Sequence, residues 1–385
     1  MTLYFDHAAT SFPKPPEVLA AATEFMNVAG VNPGRGSYTL ARQAEEMVER
    51  TRRAMARFVN APLAQRVIFG LNCTDALNMA LHGILRPGDR VLLSRLVHNS
   101  LRRPLLQLAE RGEIELRWID PLPSGLLDLK AWEAALQEEP VRLVACNHVS
   151  NVLGTIQPIA KLADLAHQHG ALILVDAAQS AGVVPLDMTA MQLDLLAFSG
   201  HKGLQALPGV GVLCVGADVE FQRPWREGGT GADSLSSGQP DLWPYFLEAG
   251  TPNLSGLASL ESALTLLEPG SLLPHLQQHQ QWRTEIALLL KELGGAVFGP
   301  TTREESIGTL SFTLPPFSPH ILSTILDTSF SIAVRSGLHC APEAHQWLGT
   351  APDGTVRVSF GHSTTAEEIN ALKSALTAIA QSQTS

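Results

Sequence analysis

A lysine in a glycine-rich loop is the first residue of this sequence whose setting suggests chemistry. Lys202 lies in LDLLAFSGHKGLQALPGVGVL (193–213), just past a predicted strand and before another apolar strand. An apolar surround lowers the pKa of a lysine and keeps water out, so a lysine placed here can form a Schiff base with a carbonyl cofactor. Position alone favours a solvated loop lysine, and the neighbouring sequence reverses that preference.

An aspartate lies 26 residues before this lysine, at the end of a predicted buried strand. The segment ALILVDAAQSAG contains this residue, Asp176. A buried carboxylate is costly unless it meets a positive partner. The protonated ring nitrogen of pyridoxal phosphate is such a partner, and an aspartate there keeps the ring electron-withdrawing. A helix-capping aspartate is the alternative, but its spacing to Lys202, with an SGHK loop between, favours the cofactor.

Three further polar residues follow predicted strands and suit the rest of that cofactor. Thr74, in GLNCTDALN, opens a predicted helix whose N-terminal N–H groups suit a phosphate, although an ordinary N-cap explains the segment equally well. His98 can lie over the aromatic ring, although a buried core histidine is the more common case. Asn151, in HVSNVLGTIQPI, can bond the phenolic oxygen of the ring, or it is a turn residue.

Composition limits the classes of protein to which the chain can belong. It has 385 residues and a net charge of −10, which argues against a general nucleic-acid binder because such a protein needs a basic face. No apolar stretch approaches the roughly 20 residues that cross a bilayer, and the N-terminus lacks a signal-peptide pattern. The four Cys include no CxxC pair, so no zinc or other metal is expected. A reduced, cytoplasmic protein with no membrane partner is the default expectation.

Short apolar stretches alternate with helical patterns through the first two thirds of the chain. LVACNHVS and LILVDAAQ are apolar without strict alternation, as expected for strands of a parallel sheet that helices cover on both faces. The sites of such α/β sheets lie at the carboxyl ends of the strands. After about residue 255 the pattern predicts a smaller α+β domain. The predicted domains are 15–256 and 257–385, with segment 1–14 packing on the smaller one.

Segments that occur in the order of a known family are spread over nearly the whole chain: YFDHAATSFPKP, RGSYTLARQAEE, HVSNVLGTIQPI, LVDAAQS, FSGHKGLQALPGVGVL, LEAGTPNLSG and RSGLHCAP. The sequence resembles the class V aminotransferases among the fold type I pyridoxal-phosphate enzymes, and most closely the cysteine desulfurases and selenocysteine lyases. FSGHK, SNVLG and AGTPN are highly specific in combination. The resemblance implies the α/β fold of a fold type I transferase, with a large, mostly parallel sheet domain and a smaller α+β domain.

The resemblance implies a role for each residue that matches a family motif. It makes Lys202 the lysine that bonds to the cofactor, His98 the ring-stacking histidine and Asp176 the partner of the ring nitrogen. Thr251 of AGTPN would join the phosphate site across a homodimer interface. The cofactor-binding residues implied in this way are Cys73, Thr74, His98, Asn151, Asp176, Gln179, Ser199, His201, Lys202 and Thr251.

The segment RSGLHCAP resembles the short catalytic-cysteine loop of the second desulfurase group. Cys340, with His339 beside it and Arg335 five residues back, has an electropositive setting that favours the thiolate. Arg357, in TVRVSF, matches the family arginine that grips the substrate carboxylate. The catalytic residues implied are His98, Lys202 and Cys340. The substrate-binding residues implied are Ala8, Tyr38, Asn151, Arg335 and Arg357.

The sequence departs from the family pattern at three positions. Tyr38 and Leu338 stand where the second group usually has histidines, and Cys73 replaces one residue of a common threonine pair. No departure removes a group that the chemistry requires, so the expected activity is that of a cysteine desulfurase serving, for example, iron–sulfur cluster assembly. It converts L-cysteine to L-alanine and leaves a persulfide on Cys340 for an acceptor protein or small thiol.

Two alternatives to this activity stay open. One is a selenocysteine lyase, acting on L-selenocysteine, or another enzyme of the class V family. The other is a catalytically idle pyridoxal-phosphate protein that serves as a sulfur-carrier scaffold. Against the second stand the intact Lys202, Asp176, Cys340 and Arg357.

Overall fold

A computed structural model describes residues 2–34, 36–231, 237–267 and 269–382. In chain order its strands are β1 (Leu3–Tyr4), β2 (Val67–Gly70), β3 (Asp89–Ser94), β4 (Ile114–Ile119), β5 (Leu143–Asn147), β6 (Leu172–Asp176), β7 (Leu195–Ser199), β8 (Gly211–Val215), β9 (Ala296–Phe298), β10 (Thr309–Thr313), β11 (Ile332–Ala333), β12 (Arg335–Gly337) and β13 (Thr355–Ser359). The helices are α1 (Pro16–Ala29), α2 (Thr39–Phe58), α3 (Cys73–Ile84), α4 (Asn99–Glu110), α5 (Leu129–Glu138), α6 (Ile159–Gln168), α7 (Leu254–Leu266), α8 (Pro269–Glu292), α9 (Pro319–Phe330), α10 (Pro342–Trp347) and α11 (Ala366–Gln381). A short 3-10 turn, Ala64–Arg66, precedes β2.

The larger sheet has the strand order β2-β8-β7-β6-β5-β3-β4. Every neighbouring pair in it is parallel except the two pairs that β8 makes with β2 and β7. β5 (LVACN) and β7 (LLAFS) are buried along their whole length. A strand covered on both faces needs apolar residues at successive positions, which is why these strands lack polar alternation. The predicted α/β fold with a large, mostly parallel sheet is confirmed.

Helices cover both faces of this sheet. On one face α3 and α4 contribute Leu77, Leu101 and Leu105 to a core of buried side chains. On the other face α2, α5, α6 and α7 form a second core, which includes Met47 and Trp132. Because both faces are covered, a ligand can approach the sheet only at its edges, and in folds of this kind it does so at the carboxyl ends of the strands.

A smaller sheet, of order β12-β13-β10-β9, is antiparallel throughout. Its core includes Ile286 of α8, Leu322 of α9 and Leu372 of α11. The start of the chain joins this core, since β1 pairs in parallel with β11 and Phe5 is fully buried. The later part of the segment contacts the loop after β7, where Ser11 N–H donates to the His201 carbonyl oxygen. The packing of segment 1–14 on a smaller domain stays a prediction, and Met1 lies outside the described residues.

The predicted boundary between residues 256 and 257 falls inside α7. This helix packs against α1 and α2. Its residues Leu257 and Leu260 are buried in the core of the larger sheet. The packing therefore assigns α7 to the larger sheet and favours a boundary near the start of α8, while the division into two domains stays a proposal.

Two kinds of feature are not found in the part of the chain that the structure describes. No helix there combines the length and the apolar character needed to cross a membrane. Nor do three or more His, Cys, Asp or Glu side chains there come together as metal ligands. The four cysteines are free thiols, three of them buried and Cys340 partly exposed.

Candidate active site

The carboxyl ends of β5, β6 and β7 and the first turns of α3 and α4 enclose a cavity of about 110 Å³. Its place follows from the topology, because parallel strands present their carboxyl ends at one edge of a sheet. The cavity is lined by every predicted cofactor-binding residue except Thr251. Those residues are Cys73, Thr74, His98, Asn151, Asp176, Gln179, Ser199, His201 and Lys202. Their proximity is thus a property of the fold.

Lys202 lies in the loop that follows β7, and close contacts fix this loop. The carbonyl oxygen of His201 accepts a hydrogen bond from the backbone N–H of Ser11 at 3.1 Å. Gly203 packs directly on Gly182, where a Cβ would lie 2.5 Å from the Gly203 carbonyl carbon and φ is +78°. Only glycine combines this φ with such a close approach, so the glycine at 182 lets the lysine loop sit against the sheet.

Asp176 is the last residue of β6 and is 4% exposed. Its Oδ1 accepts hydrogen bonds from the Ala178 N–H at 2.9 Å and from Cys73 Sγ at 3.5 Å. Burial lowers the pKa of the Lys202 amine, and the negative charge of Asp176 partly opposes that shift. A lowered pKa increases the neutral fraction of the amine, the form that adds to a carbonyl or accepts a proton.

The pKa of the Cys73 thiol is shifted in the opposite direction to that of the Lys202 amine. Burial, and then the nearby charge of Asp176, raise the pKa of the Cys73 thiol well above its ordinary value. The side chain is therefore a neutral thiol that donates to Asp176. Only a thiolate acts as a nucleophile, so this thiol is not one. Cys73 thus contributes a hydrogen bond to the carboxylate.

Two uncharged imidazoles border the cavity. His98 directly precedes α4, and its Nδ1 accepts a hydrogen bond from the Ser100 N–H at 3.1 Å. This bond fixes the orientation of the ring. Nδ1 of His201 lies 3.0 Å from Thr10 Oγ1. Burial lowers the pKa of His98, and burial with the charge of Lys202 lowers the pKa of His201 to about 4. Both rings are neutral at pH 7, and a neutral ring can lie flat against a second aromatic ring without a charge to desolvate.

Cys340 lies on the loop between β12 and α10, and two hydrogen bonds hold this loop. Asn151 Nδ2 donates to the His339 carbonyl oxygen at 2.7 Å, and the Asn99 N–H donates to the Cys340 carbonyl oxygen at 2.8 Å. His339 and Cys340 have φ values of +49° and +59°. Residues other than glycine adopt such values only where the surroundings impose them. The hydrogen bonds therefore hold the cysteine loop in one conformation.

The Cys340 thiol is partly exposed and lies 3.5 Å from Nη2 of Arg335. The residue lines a groove of about 760 Å³. That groove shares Thr74, His98 and Ser100 with the cavity that contains Lys202. A free thiol with a guanidinium 3.5 Å away thus lines a groove that has three residues in common with the cavity.

Arg357 is 1% exposed, in the middle of β13. Its Nη1 donates to the Asn151 carbonyl oxygen at 3.0 Å, and its Nη2 donates to Asp6 Oδ1 at 2.6 Å. Its Nε has no hydrogen-bond partner among the described residues. Burial lowers the pKa of the guanidinium, and Asp6 opposes the shift. Arg357 therefore pairs with the Asp6 carboxylate and keeps its Nε–H as a free donor. A residue that binds a second carboxylate needs such a donor.

Comparison with known proteins shows the family to which this chain belongs. The sequence profile of the class V aminotransferases matches residues 3–372. The chain belongs to the class V aminotransferase family. It is 35% identical to a probable cysteine desulfurase of Methanothermobacter thermautotrophicus, over 98% of this chain and 94% of that protein. It is 34% identical to a cysteine desulfurase of Salmonella typhimurium, over 98% and 93% of the two chains.

The fold of this class V aminotransferase is also that of a solved desulfurase. The apo structure of cysteine desulfurase from Thermococcus onnurineus superposes with a TM-score of 0.92, at 32% identity, and covers 99% of this chain and 95% of that one. The predicted membership of the cysteine desulfurase family is confirmed, and so is the fold. The family depends on pyridoxal phosphate, which confirms the predicted cofactor.

The side chains of the cavity fit pyridoxal phosphate. Lys202 offers an amine for its carbonyl, and Asp176 offers a buried carboxylate for its ring nitrogen. The N-terminus of α3, with Thr74, offers N–H donors for a phosphate. The buried amide of Asn147 lines the same cavity and has no partner for its donor or its acceptor among the described residues. A ligand in the cavity can supply the hydrogen-bond partners that the Asn147 amide lacks.

Six of the predicted site residues do not line the cavity of Lys202: Ala8, Tyr38, Thr251, Arg335, Cys340 and Arg357. Thr251 is exposed and lines a separate pocket of about 330 Å³. Tyr38 precedes α2 and is 52% exposed. Ala8 lines a small pocket beside Lys202, and its carbonyl oxygen accepts from Gln179 Nε2 at 2.9 Å. Ala8 is therefore adjacent to the cavity, whereas Thr251 and Tyr38 do not line it.

Sequence reasoning missed several residues of the site, among them Asp6, Asn147 and the cavity-lining Asn72 and Ser100. Asp6 pairs with Arg357, and Asn147 is the unpartnered amide of the cavity. The signal for Asn147 was present, since it is the one polar residue that ends the apolar strand LVACN. Asp6 offered a weaker signal, because its pairing joins residues 351 positions apart.

Proposed function

We propose that this protein is a pyridoxal-phosphate-dependent cysteine desulfurase, which converts L-cysteine to L-alanine and keeps the sulfur as a persulfide on Cys340. The observation that carries the proposal is the position of Cys340. A free, partly exposed thiol, 3.5 Å from Arg335 Nη2, lines a groove that shares Thr74, His98 and Ser100 with the cavity of Lys202 and Asp176. A transaminase needs the lysine and the aspartate but has no use for that thiol.

We assign the cofactor contacts to the residues that line the cavity. Lys202 would bond to the carbonyl carbon, Asp176 would pair with the ring nitrogen and His98 would lie against the ring. Asn151 and Gln179 lie near the phenolic oxygen, and the phosphate is held by Thr74, Ser199 and His201. When bound, pyridoxal phosphate supplies an electron sink for the bonds at the substrate Cα.

The side chains of the chain perform the remaining steps. Arg357 binds the substrate carboxylate through its free Nε–H, and its pairing with Asp6 fixes the guanidinium plane. The freed amine of Lys202 then takes the proton from Cα, for which its lowered pKa suits it. Contacts within the chain hold the Arg357 guanidinium and the loop of Lys202 before the substrate arrives.

Sulfur transfer is assigned to Cys340. Its thiolate attacks the sulfur of the substrate, so that an S–S bond forms while the Cβ–S bond breaks. The electron pair of the broken bond stays on Cβ, which takes up a proton and becomes the methyl group of alanine, and Lys202 returns a proton to Cα. Arg335 Nη2 donates to the attacking sulfur at 3.5 Å and so orients it. The persulfide then passes to an acceptor protein or small thiol.

We also propose that the active unit is a cytoplasmic homodimer that supplies sulfur for iron–sulfur clusters. The dimer is supported by Thr251 and Tyr38, which are exposed and lie outside the cavity of their own chain. In a dimer they would reach the cavity of the partner. Sedimentation of the purified protein tests this, because a fully active monomer that retains its cofactor contradicts it.

The test of the function is the release of alanine from L-cysteine. With a thiol reductant present, alanine and sulfide should form continuously in equal amounts. Without reductant, alanine should stop near one equivalent per site, since the sulfur stays on the enzyme. A keto acid as the main product, or alanine release only from L-selenocysteine, contradicts the proposal.

A further inference from the structure

Asn147 is an unusual residue for the place it occupies. It ends β5, whose other residues are Leu, Val, Ala and Cys, and it is 4% exposed. Its Cα pairs with that of Asp176 across the two neighbouring strands. Both residues line the cavity that contains Lys202. An amide therefore stands next to the carboxylate that we assign to the ring nitrogen.

The amide of Asn147 is unused by the protein. Neither Nδ2 nor Oδ1 has a hydrogen-bond partner among the described residues. The other amides of the cavity are bonded, since Asn151 Nδ2 donates to His339 and Gln179 Nε2 donates to Ala8. A buried amide without partners destabilises a fold, and it is retained where something else completes its bonds.

The neighbouring carboxylate is bonded on one side only. The hydrogen bonds that the structure gives to the Asp176 side chain, from Ala178 N and Cys73 Sγ, both go to Oδ1. A carboxylate has acceptor sites on both oxygens. A ring N–H and one further donor can therefore join the Asp176 carboxylate, and the Asn147 NH₂ group is the donor on the adjacent strand.

We propose that Asn147 is a positioning residue, whose amide donates to the Asp176 carboxylate when pyridoxal phosphate is bound and so holds that carboxylate against the ring nitrogen. The inference rests on the proposed cofactor site and adds a residue to it. It explains why an amide ends the otherwise apolar strand β5. It also predicts opposite effects of one substitution on the apoprotein and on cofactor binding.

The first measurement is made on Asn147→Leu, a change of similar volume, with Asn147→Ala as a second variant. Cofactor affinity of the apoprotein should fall about tenfold, the loss expected for one hydrogen bond to a charged group. The melting temperature of the apoprotein should not fall in Asn147→Leu, since no hydrogen bond is lost. Gln280→Leu is the matched control, because that buried amide donates to the Ser306 carbonyl at 2.8 Å away from the cavity. It should lower the melting temperature and leave cofactor affinity unchanged.

The second measurement uses an analogue of pyridoxal phosphate in which carbon replaces the ring nitrogen. Asn147 acts through Asp176 on that nitrogen, so the variants and the wild type should bind the analogue equally. A tenfold difference that persists with the analogue overturns the proposal. So does a pair of variants that melt lower than the wild type but bind pyridoxal phosphate normally. If the wild-type apoprotein itself fails to bind pyridoxal phosphate, the proposed function fails instead.

Discussion

The two sides of the site are built differently. The cofactor side consists of residues at the ends of parallel strands, such as Asp176 of β6, and the sheet fixes their positions. The sulfur side consists of Cys340 and Arg357, from the region of the smaller sheet. Hydrogen bonds through Asn151 connect it to the first side. Cofactor retention and sulfur transfer should therefore be separable by mutation.

The largest effect is expected from Lys202→Ala. Loss of a positioned proton-transfer group lowers kcat by at least about a thousandfold, and the borohydride-reducible link to the cofactor disappears. Digestion of the reduced protein should give a pyridoxyl label on Lys202 only. Lys161→Ala, at an exposed position, is the control and should keep both activity and label. A label on another lysine refutes the assignment of the cofactor side.

Cys340→Ser should break only the sulfur side. The protein should stay folded and yellow, because none of the cofactor contacts uses this thiol. Alanine release from cysteine should fall by about a hundredfold or more, since a hydroxyl is a poor nucleophile toward sulfur. Cys214→Ala, at a buried cysteine far along the sheet from the loop, should keep the activity. Equal activity of the serine variant and the wild type would end the separation of the two sides.

Arg357→Lys should weaken substrate binding and spare cofactor binding. Lysine keeps the charge but loses the fork of donors that reaches Asn151 and Asp6 as well as a substrate. The KM for cysteine should rise about ten- to a hundredfold, the range of one or two hydrogen bonds to a charged group. Spectroscopic titration with pyridoxal phosphate gives the control. A KM that stays constant while cofactor affinity falls would show that Arg357 serves the cofactor side and would contradict this assignment.

Acid should destabilise both sides, because both contain buried neutral histidines. Burial lowers the pKa of His201 and His148 to about 4 and that of His339 to about 2. The unfolded chain titrates near 6.5, so it binds more protons than the fold below that pH. Stability is therefore full above about pH 6.5 and is lost as the pH falls toward 4. The urea midpoint should be lower at pH 5 than at pH 7.5, and an unchanged midpoint contradicts the burial of these rings.

The smallest effect is expected from Thr355→Val. Thr355 Oγ1 lies 3.1 Å from His339 Nε2, which also lies 3.1 Å from the Thr355 carbonyl oxygen. One of two alternative partners is lost, so the free energy of unfolding should fall by about 0.5–1.5 kcal/mol. Cofactor affinity should not change. A fall in kcat with no fall in the free energy of unfolding would contradict a purely structural role for this contact.

The same contrast decides what could be predicted from the sequence. The strands, the end of β6 at Asp176 and the loop of Lys202 follow from local apolar patterns and from family motifs. The pairing of Asp6 with Arg357 joins distant parts of the chain, and no local pattern contains it. The packing of α7 on α1 and α2 is likewise a tertiary contact that no local pattern contains. Asn147 stands out in the sequence as the polar end of an apolar strand, but the lack of partners for its amide shows only in three dimensions.

The most direct test of the account is the location of the persulfide. The wild-type protein is exposed briefly to L-cysteine without reductant and is digested and analysed by mass spectrometry. A gain of about 32 Da, one sulfur atom, should appear on the peptide that contains Cys340 and should vanish with a thiol reductant. The same mass on Cys73, Cys146 or Cys214, or on no peptide while alanine accumulates, would contradict the account.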